Sequence, residues 1–565
     1  MYNQYIKRRE LFFLGLIFLV FFSYEIGNRH FADPDEGRYV EIPREMVVSG
    51  DYVTPRLNGL KYFEKPALFY WLQAAAIKIF EINEISMRMW TVFFAILGCL
   101  FVFGIGTRFY SRDVGLISSG ILATNLIYYV HSRLIVLDLV ASILVSGSLW
   151  CFFSLFVSKN AEKTSRKKII IAMYALSALA CLTKGLIGAV LPGLIAFLWM
   201  IFSKNIRKIK EIFYIPGILT FLVIFLPWHI VVALRNHDFL HFYFVIEHFL
   251  RYTTRIHDRY QEWWFFIPVV LVGLFPWTDF CISALKDSIL KAVKGDSENI
   301  FFSCWILGIF TFFSLSNSKL IPYILPIIPP IALITGIKIT ELLEKSSASF
   351  ENQDTYTRSN YLDDYQKAAC HNILWLSAVF CTCSIFKSKI PDALRSEDAN
   401  IFLGLIIVAI ALFIFSIFNR RNRKIFGIIY IFTSASMLLM FNKVAAFYQE
   451  VRRPTTKYSA QIINRIRRKD DLVFCYKRYY QDFPVYLNST VGVVDFVGEL
   501  EFGAKSEKDN DKLIGEEDFW KLWQSTQKRI FLLLSRENYR HVSERKDFSH
   551  VVLDINKYFV VITNK

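Results

Sequence analysis

Residues 33–66 read DPDEGRYVEIPREMVVSGDYVTPRLNGLKYFEKP, a dense mixture of acids and bases between two apolar regions. Its start has helix-initiating chemistry. Asp33 can cap, Pro34 suits the first helical position, and Glu36 can reach back to the cap. Asp35 and Glu36 then lie at the positive end of a helix dipole, which favours their ionised forms. Glu41, Arg44 and Glu45 follow at i, i+3 and i+4 and share one face. Pro43 is expected to kink or restart the helix, and Ser49-Gly50-Asp51 to end it. Tyr62-Phe63-Glu64-Lys65-Pro66 sets an acid beside a base just before a new apolar helix.

Working outward, the chain around this stretch is that of a membrane protein. Of its 565 residues 54% are hydrophobic and only 20% charged, with 54 Phe and a mean hydropathy of +0.35. A soluble chain of this length carries more charge and fewer long apolar runs. A formal charge of +16 raises the question of nucleic acid. No compact basic motif with interleaved aromatics supports that partner, and the basic residues sit in short loops between apolar runs. Most of the nine Cys fall in apolar runs and read as small core residues, and Cys381-x-Cys383 lacks zinc-ligand spacing.

Lys7-Arg8-Arg9 precedes the apolar run Leu11 to Phe22 without a small-x-small cleavage site, so it reads as an uncleaved anchor with a cytoplasmic N-terminus. Residues 66–80 are too short to span and are expected along the interface. Further spans are expected near 88–107, 113–131, 135–157, 168–183, 186–203, 212–233, 263–284, 299–316, 320–337, 370–386, 401–417 and 424–441, about thirteen in all. The basic loops 159–168, 204–210 and 419–424 then share the cytoplasmic side, and the charged loop 23–87 and the loop 234–262 lie outside. After residue 441 the composition changes. Short strand-like runs at 473–476, 485–487, 491–494, 530–534 and 558–562 alternate with polar helical segments. The expected fold is a polytopic α-helical membrane domain over 1–441, with periplasmic amphipathic helices, and a small periplasmic α/β domain over 442–565.

Charged groups near membrane depth are costly unless they have partners or a task. Besides the opening loop with Asp35, Glu36, Arg38, Glu64 and Lys65, four sets qualify. Asp138 stands at the outer end of a span, free to pair with Arg133 or to act in a site. Lys184 lies in a tight Thr-Lys-Gly turn, where an ammonium can snorkel or hold a phosphate. Glu247, His248 and Arg251 fall within one turn of an amphipathic helix, and His248 with Glu64 reads either as a hydrogen-bonded pair or as a divalent-cation site. Lys319 and Tyr323 are expected to face the same cavity. All five sets fall on one side under the loop-charge topology, which points to one extracytoplasmic site.

The order of residues in 34–66, with Leu137-Asp138, Thr183-Lys184-Gly185, Pro227-Trp228, Glu247-His248, Arg251 and Lys319-Leu-Ile-Pro-Tyr-Ile-Leu-Pro326, resembles the bacterial lipid A aminoarabinose transferases over roughly residues 10–340. These are relatives of the protein O-mannosyltransferases with a C-type glycosyltransferase fold. The resemblance implies sugar transfer from an undecaprenyl phosphate carrier to a lipid A phosphate at the periplasmic face of the inner membrane. It implies Asp35 and Asp138 as catalytic carboxylates, and Arg38, Lys65, Lys184, Arg251 and Lys319 as donor phosphate ligands. Glu36, Tyr62 and Tyr323 are implied as substrate contacts. The sequence departs from the family at Gly37, where a Thr is usual, at Pro43, at Pro322 and over 253–262. The sugar therefore stays open between aminoarabinose, a hexosamine and a neutral hexose. An O-mannosyltransferase-like acceptor and, in a different class, a transporter are the alternatives; charges gathered in outer loops and the lack of a repeat count against transport.

Overall fold

The computed structural model describes residues 8–158, 166–254, 259–351, 371–373, 407, 410–411, 414, 430–439, 442, 455–507, 511–545 and 549–565. The expected spans at 370–386 and 401–417 lie largely outside these residues.

The chain opens with α1 (Arg8–Ser23) and α2 (Asp35–Ser49), then a small hairpin of β1 (Arg56–Leu57) and β2 (Leu60–Lys61). Next come α3 (Leu68–Phe80), α4 (Met89–Phe109), α5 (Arg112–Ala123), α6 (Leu126–His131) and α7 (Leu137–Phe152). α8 (Arg166–Lys184) and α9 (Ile187–Phe202) follow, and further apolar helices run over Ile215–Arg235, Ser297–Leu315 and Ile328–Glu351. Among the described residues, five helices are long and apolar enough to cross a membrane, or six if a bent pair forms one span. The chain is thus a multi-pass membrane protein. α7 is its central post: almost all of it is buried, and it packs on α4, α8 and α9. Trp150 on α7 meets Trp305 edge-on with centroids 4.7 Å apart.

Two expected spans differ. Residues 263–284 form two helices, Phe266–Gly273 and Thr278–Val293, set at 116° to each other, and the break falls at Pro276, which has no N–H to carry a helix onward. Residues 113–131 divide into α5 and α6 at Thr124-Asn125. α3, with 13 residues, covers only about 20 Å and falls short of a span as expected.

The C-terminal domain holds a six-stranded sheet ordered β5-β4-β3-β6-β8-β7. β3 (Leu472–Tyr476), β4 (Gly492–Val494), β5 (Leu513–Ile514) and β6 (Ile530–Ser535) are parallel. β8 (Phe559–Thr563) pairs antiparallel with β6 and with β7 (Val551–Ile555). Residues 485–487, expected as a strand, belong instead to the helix Asp482–Leu487, which opens on an acid and stops at Asn488 in the left-handed region (φ 54°).

α2 lies between the helical bundle and this domain. Every residue from Glu36 to Met46 is buried. The helix passes through Pro43 as one element and ends at Gly50, whose φ of 74° needs no Cβ, as the sequence predicts. Gly37 gives α2 its close approach to the C-terminal domain. A Cβ there would lie 2.5 Å from the Asp482 nitrogen and the Gln481 carbonyl carbon. A family Thr cannot fit this contact.

Candidate active site

The first turn of α2 is fixed by a buried strut. Glu36 accepts from Arg88 Nε at 2.9 Å and Nη2 at 2.7 Å, and from the backbone N–H groups of Ala32 at 2.9 Å and Ile135 at 3.0 Å. Arg88 also donates to the carbonyls of Ile26 and Arg29 at 2.8 Å and of His30 at 3.0 Å. Glu36 therefore reaches back as a capping-box acid does. Asp33 does not cap; its carboxylate accepts from the Gln481 N–H at 2.8 Å and from Arg478 at 3.1 Å. With Glu36 turned into the protein, Asp35 is left on the opposite side of the turn. It is half-exposed in a cavity, 3.6 Å from Arg38.

That cavity, of about 690 Å³, lies where the start of α2, the Glu64-Lys65 loop, the starts of α7 and α9 and the segment 244–253 converge. Its charged lining is Arg38, Lys65, Lys184, Arg251 and Arg259 against Asp35, Glu64, Asp138 and Glu247. A chain of contacts runs round it. Lys65 lies 3.8 Å from Glu247, which pairs with Arg251 at 2.6 Å. Arg251 lies 3.8 Å from Glu64 and donates to the Tyr323 hydroxyl at 3.3 Å. Lys184 sits 4.3 Å from the centre of the Tyr323 ring and forms an ion pair with Asp138. Burial, with the nearby Arg251 charge, brings the Lys65 ammonium down to about 8. Phe312, Phe313, Leu320 and Val190 give the remaining wall an apolar character. Such a site can hold an anion on clustered cations while an open carboxylate faces a developing positive centre.

Asp35, Arg38, Glu64, Lys65, Asp138, Lys184, His248, Arg251 and Tyr323, drawn from segments almost 290 positions apart, all line this one space. Four sequence assignments are corrected. Glu36 is the strut just described and does not line the cavity. Tyr62 is buried behind it, with its N–H on the Pro55 carbonyl at 2.9 Å. Lys319 turns away and donates to the carbonyls of Ser316 at 2.5 Å and Gln261 at 2.7 Å, bracing the loop beneath the cavity. His248 does not fit a cation site. Its Nδ1 bonds the Tyr243 carbonyl at 2.6 Å and its Nε2 accepts from the Leu186 N–H at 3.1 Å, so no ring lone pair is left for a metal. Burial holds this imidazole down near 4, in its neutral form, and Glu64 faces Arg251 instead. Among the described residues no group of three or more His, Cys, Asp or Glu could hold a metal ion. Gly185 makes the histidine's seat possible: its φ is 89°, and a Cβ there would lie 2.0 Å from Nε2. Asp138 pairs with Lys184 and not with Arg133, which donates to the carbonyls of Phe22 at 2.6 Å and Tyr24. Arg259 was not singled out by the sequence, since one Arg in a polar loop carries no pattern.

The chain and its fold are similar to known proteins. Residues 10–243 match the dolichyl-phosphate-mannose-protein mannosyltransferase family, and residues 459–564 match the aminoarabinose transferase C-terminal domain. The whole architecture is similar to the crystal structure of ArnT from Cupriavidus metallidurans bound to undecaprenyl phosphate, with a TM-score of 0.84 at 25% identity over 99% of both chains. Over both segments and in its whole fold the chain resembles the ArnT-like family, related to the protein O-mannosyltransferases. Among curated members, an undecaprenyl phosphate-alpha-4-amino-4-deoxy-L-arabinose arabinosyl transferase of Yersinia enterocolitica is 30% identical over 59% of each chain. One from Proteus mirabilis is 33% identical over 59% of this chain and 60% of its own. These matches therefore span about three fifths of the relatives' length. Within the ArnT-like frame, both matched segments meet at α2: the first supplies Asp35, Arg38, Glu64, Lys65, Asp138 and Lys184 of the cavity, and the second supplies Glu499, which pairs with Arg38 at 2.7 Å.

Proposed function

We propose that this chain transfers an amino sugar, aminoarabinose first among the candidates, from an undecaprenyl phosphate carrier to a phosphate of lipid A. The reaction takes place at the periplasmic face of the bacterial inner membrane. The observation that carries this reading is the cavity in which Lys65, Lys184 and Arg251 converge opposite the open carboxylate of Asp35. In sugar transfer the leaving group is a phosphate that gains charge as the anomeric bond breaks. Clustered ammonium and guanidinium groups stabilise it more in the transition state than in the donor. The anomeric carbon turns cationic, and Asp35 lowers that barrier electrostatically. A lipid A phosphate is already an anionic nucleophile and needs no strong base, so the reaction is a single displacement with inversion. Asp138, already bound to the Lys184 ammonium, presents the acceptor geometry that a sugar ammonium requires. In this reading the chain crosses the membrane about thirteen times, with its N-terminus in the cytoplasm and the 442–565 domain in the periplasm.

The test is transfer in proteoliposomes holding purified protein, undecaprenyl phosphate-linked aminoarabinose and lipid A. Sugar on lipid A with release of undecaprenyl phosphate supports the reading. Turnover of the donor only when a hydroxyl acceptor is supplied replaces it with the O-mannosyltransferase-like reaction, and movement of the donor across the bilayer without transfer replaces it with transport.

A further inference from the structure

One segment of the C-terminal domain touches a residue that lines the cavity. After β4 the chain turns through Gly498–Leu500 into a short helix, Glu501–Ser506. Phe502 on that helix packs into an apolar cluster of the membrane domain, 4.0 Å from the Phe242 ring and 5.5 Å from the Phe63 ring, centre to centre. Gly503 lies directly on the hairpin before Glu64: a Cβ there would stand 2.8 Å from the Lys61 carbonyl oxygen. So anchored, Glu499 holds Arg38 Nε at 2.7 Å and accepts from Gln481 Nε2.

We infer that Glu499 is a positioning residue of the site: it draws Arg38 away from Asp35 and so keeps the Asp35 carboxylate open to substrate. Arg38 stands between two carboxylates and is committed to one. Its ion pair with Glu499 is the shorter, at 2.7 Å against 3.6 Å to Asp35. Arg38 is nearly buried, so it needs a counter-charge within reach. If Glu499 is neutralised, the carboxylate already in ion-pair range of the guanidinium is Asp35, half-exposed on the preceding helical turn, with the Glu64 charge the other acid acting on it. Closing that pair would quench the carboxylate assigned to the reacting centre. The C-terminal domain is then part of the catalytic architecture, through an electrostatic contact that fixes which acid Arg38 pairs with.

This inference rests on the proposed transfer reaction, so its test has a structural arm and a kinetic arm. A structure of the Glu499→Gln protein is expected to show Arg38 moved to within about 3 Å of Asp35; an unmoved Arg38 overturns the inference whatever the activity. In the transfer assay Glu499→Gln is expected to lower kcat ten- to a hundredfold, about the cost of removing a group that orients a site residue, with donor KM little changed. Glu499→Asp, which keeps the charge, restores part of it. In an Arg38→Gln background the Glu499→Gln change is expected to add almost nothing, because both act through one contact. Fully multiplicative losses would mean that Glu499 only docks the domain. A wild-type protein that transfers nothing refutes the proposed function, and the structural arm still decides the role of Glu499.

Discussion

Glu36→Gln separates a structural acid from the proposed catalytic one, Asp35, within a single helical turn. Glu36 accepts four hydrogen bonds, two on each carboxylate oxygen, and neither it nor Arg88 is exposed. Glutamine keeps one acceptor oxygen and turns an amide toward two donors, so two bonds are lost and Arg88 loses its counter-ion. Breaking a buried ion pair from one side costs about 3–5 kcal/mol. Arg88 retains its bonds to the carbonyls of Ile26, Arg29 and His30, which places this site near the lower bound, at about 3 kcal/mol. A further signature comes from pH. Burial raises the Glu36 carboxyl, but the Arg88 charge and hydrogen bonds outweigh it and hold it below the usual range. Its contribution is therefore complete above the unfolded carboxylate value of about 4.3 and is lost as pH falls through the lower folded value. Inactivation half-life in detergent is the suitable measure for a chain of this size. We expect Glu36→Gln to shorten it sharply near neutral pH, to lose the acid-dependent part of wild-type inactivation, and to transfer sugar at nearly the wild-type rate per folded molecule. A variant with wild-type half-life and collapsed transfer would refute the strut and return Glu36 to the substrate.

Asp35→Asn is expected to fold normally, since Asp35 is half-exposed and 3.6 Å from Arg38, and to lose about a hundredfold or more in kcat with donor binding retained. Because Lys65 titrates near 8 and serves as a cation, donor binding should weaken as pH rises through that value, and Lys65→Arg should move this limb to higher pH in a KM-versus-pH profile. Gly37→Thr drives a side chain into the Gln481–Asp482 backbone and should loosen the C-terminal domain from α2, seen as faster tryptic release of that domain.

Much of the site was legible because its chemistry is local. Asp35-Glu36, Glu64-Lys65, Thr183-Lys184-Gly185 and Glu247-His248 each combine charge with a turn or a helix end, and loop charge assigns them all to one side. What sequence spacing cannot give is direction. Asp35 and Glu36 are adjacent, and only packing decides that one faces the cavity and the other faces Arg88. Lys319 looks like a further phosphate ligand until Ser316 and Gln261 claim it. His248 looks like a metal ligand until two backbone groups occupy both nitrogens. Glu499 was invisible for a related reason: its partner lies more than 460 positions away in another domain. The bent pair at 263–284 has the composition of one span, and its division turns on a single Pro.

The central claim is that this chain places a sugar on a lipid A phosphate. Mass spectrometry of lipid A from cells with and without the gene tests it most directly. The account predicts that deletion removes a species heavier by one pentosamine or hexosamine on a phosphate, and that Asp35→Asn fails to restore it where wild type does. Lipid A identical in both strains, under conditions in which the protein is made, would contradict it.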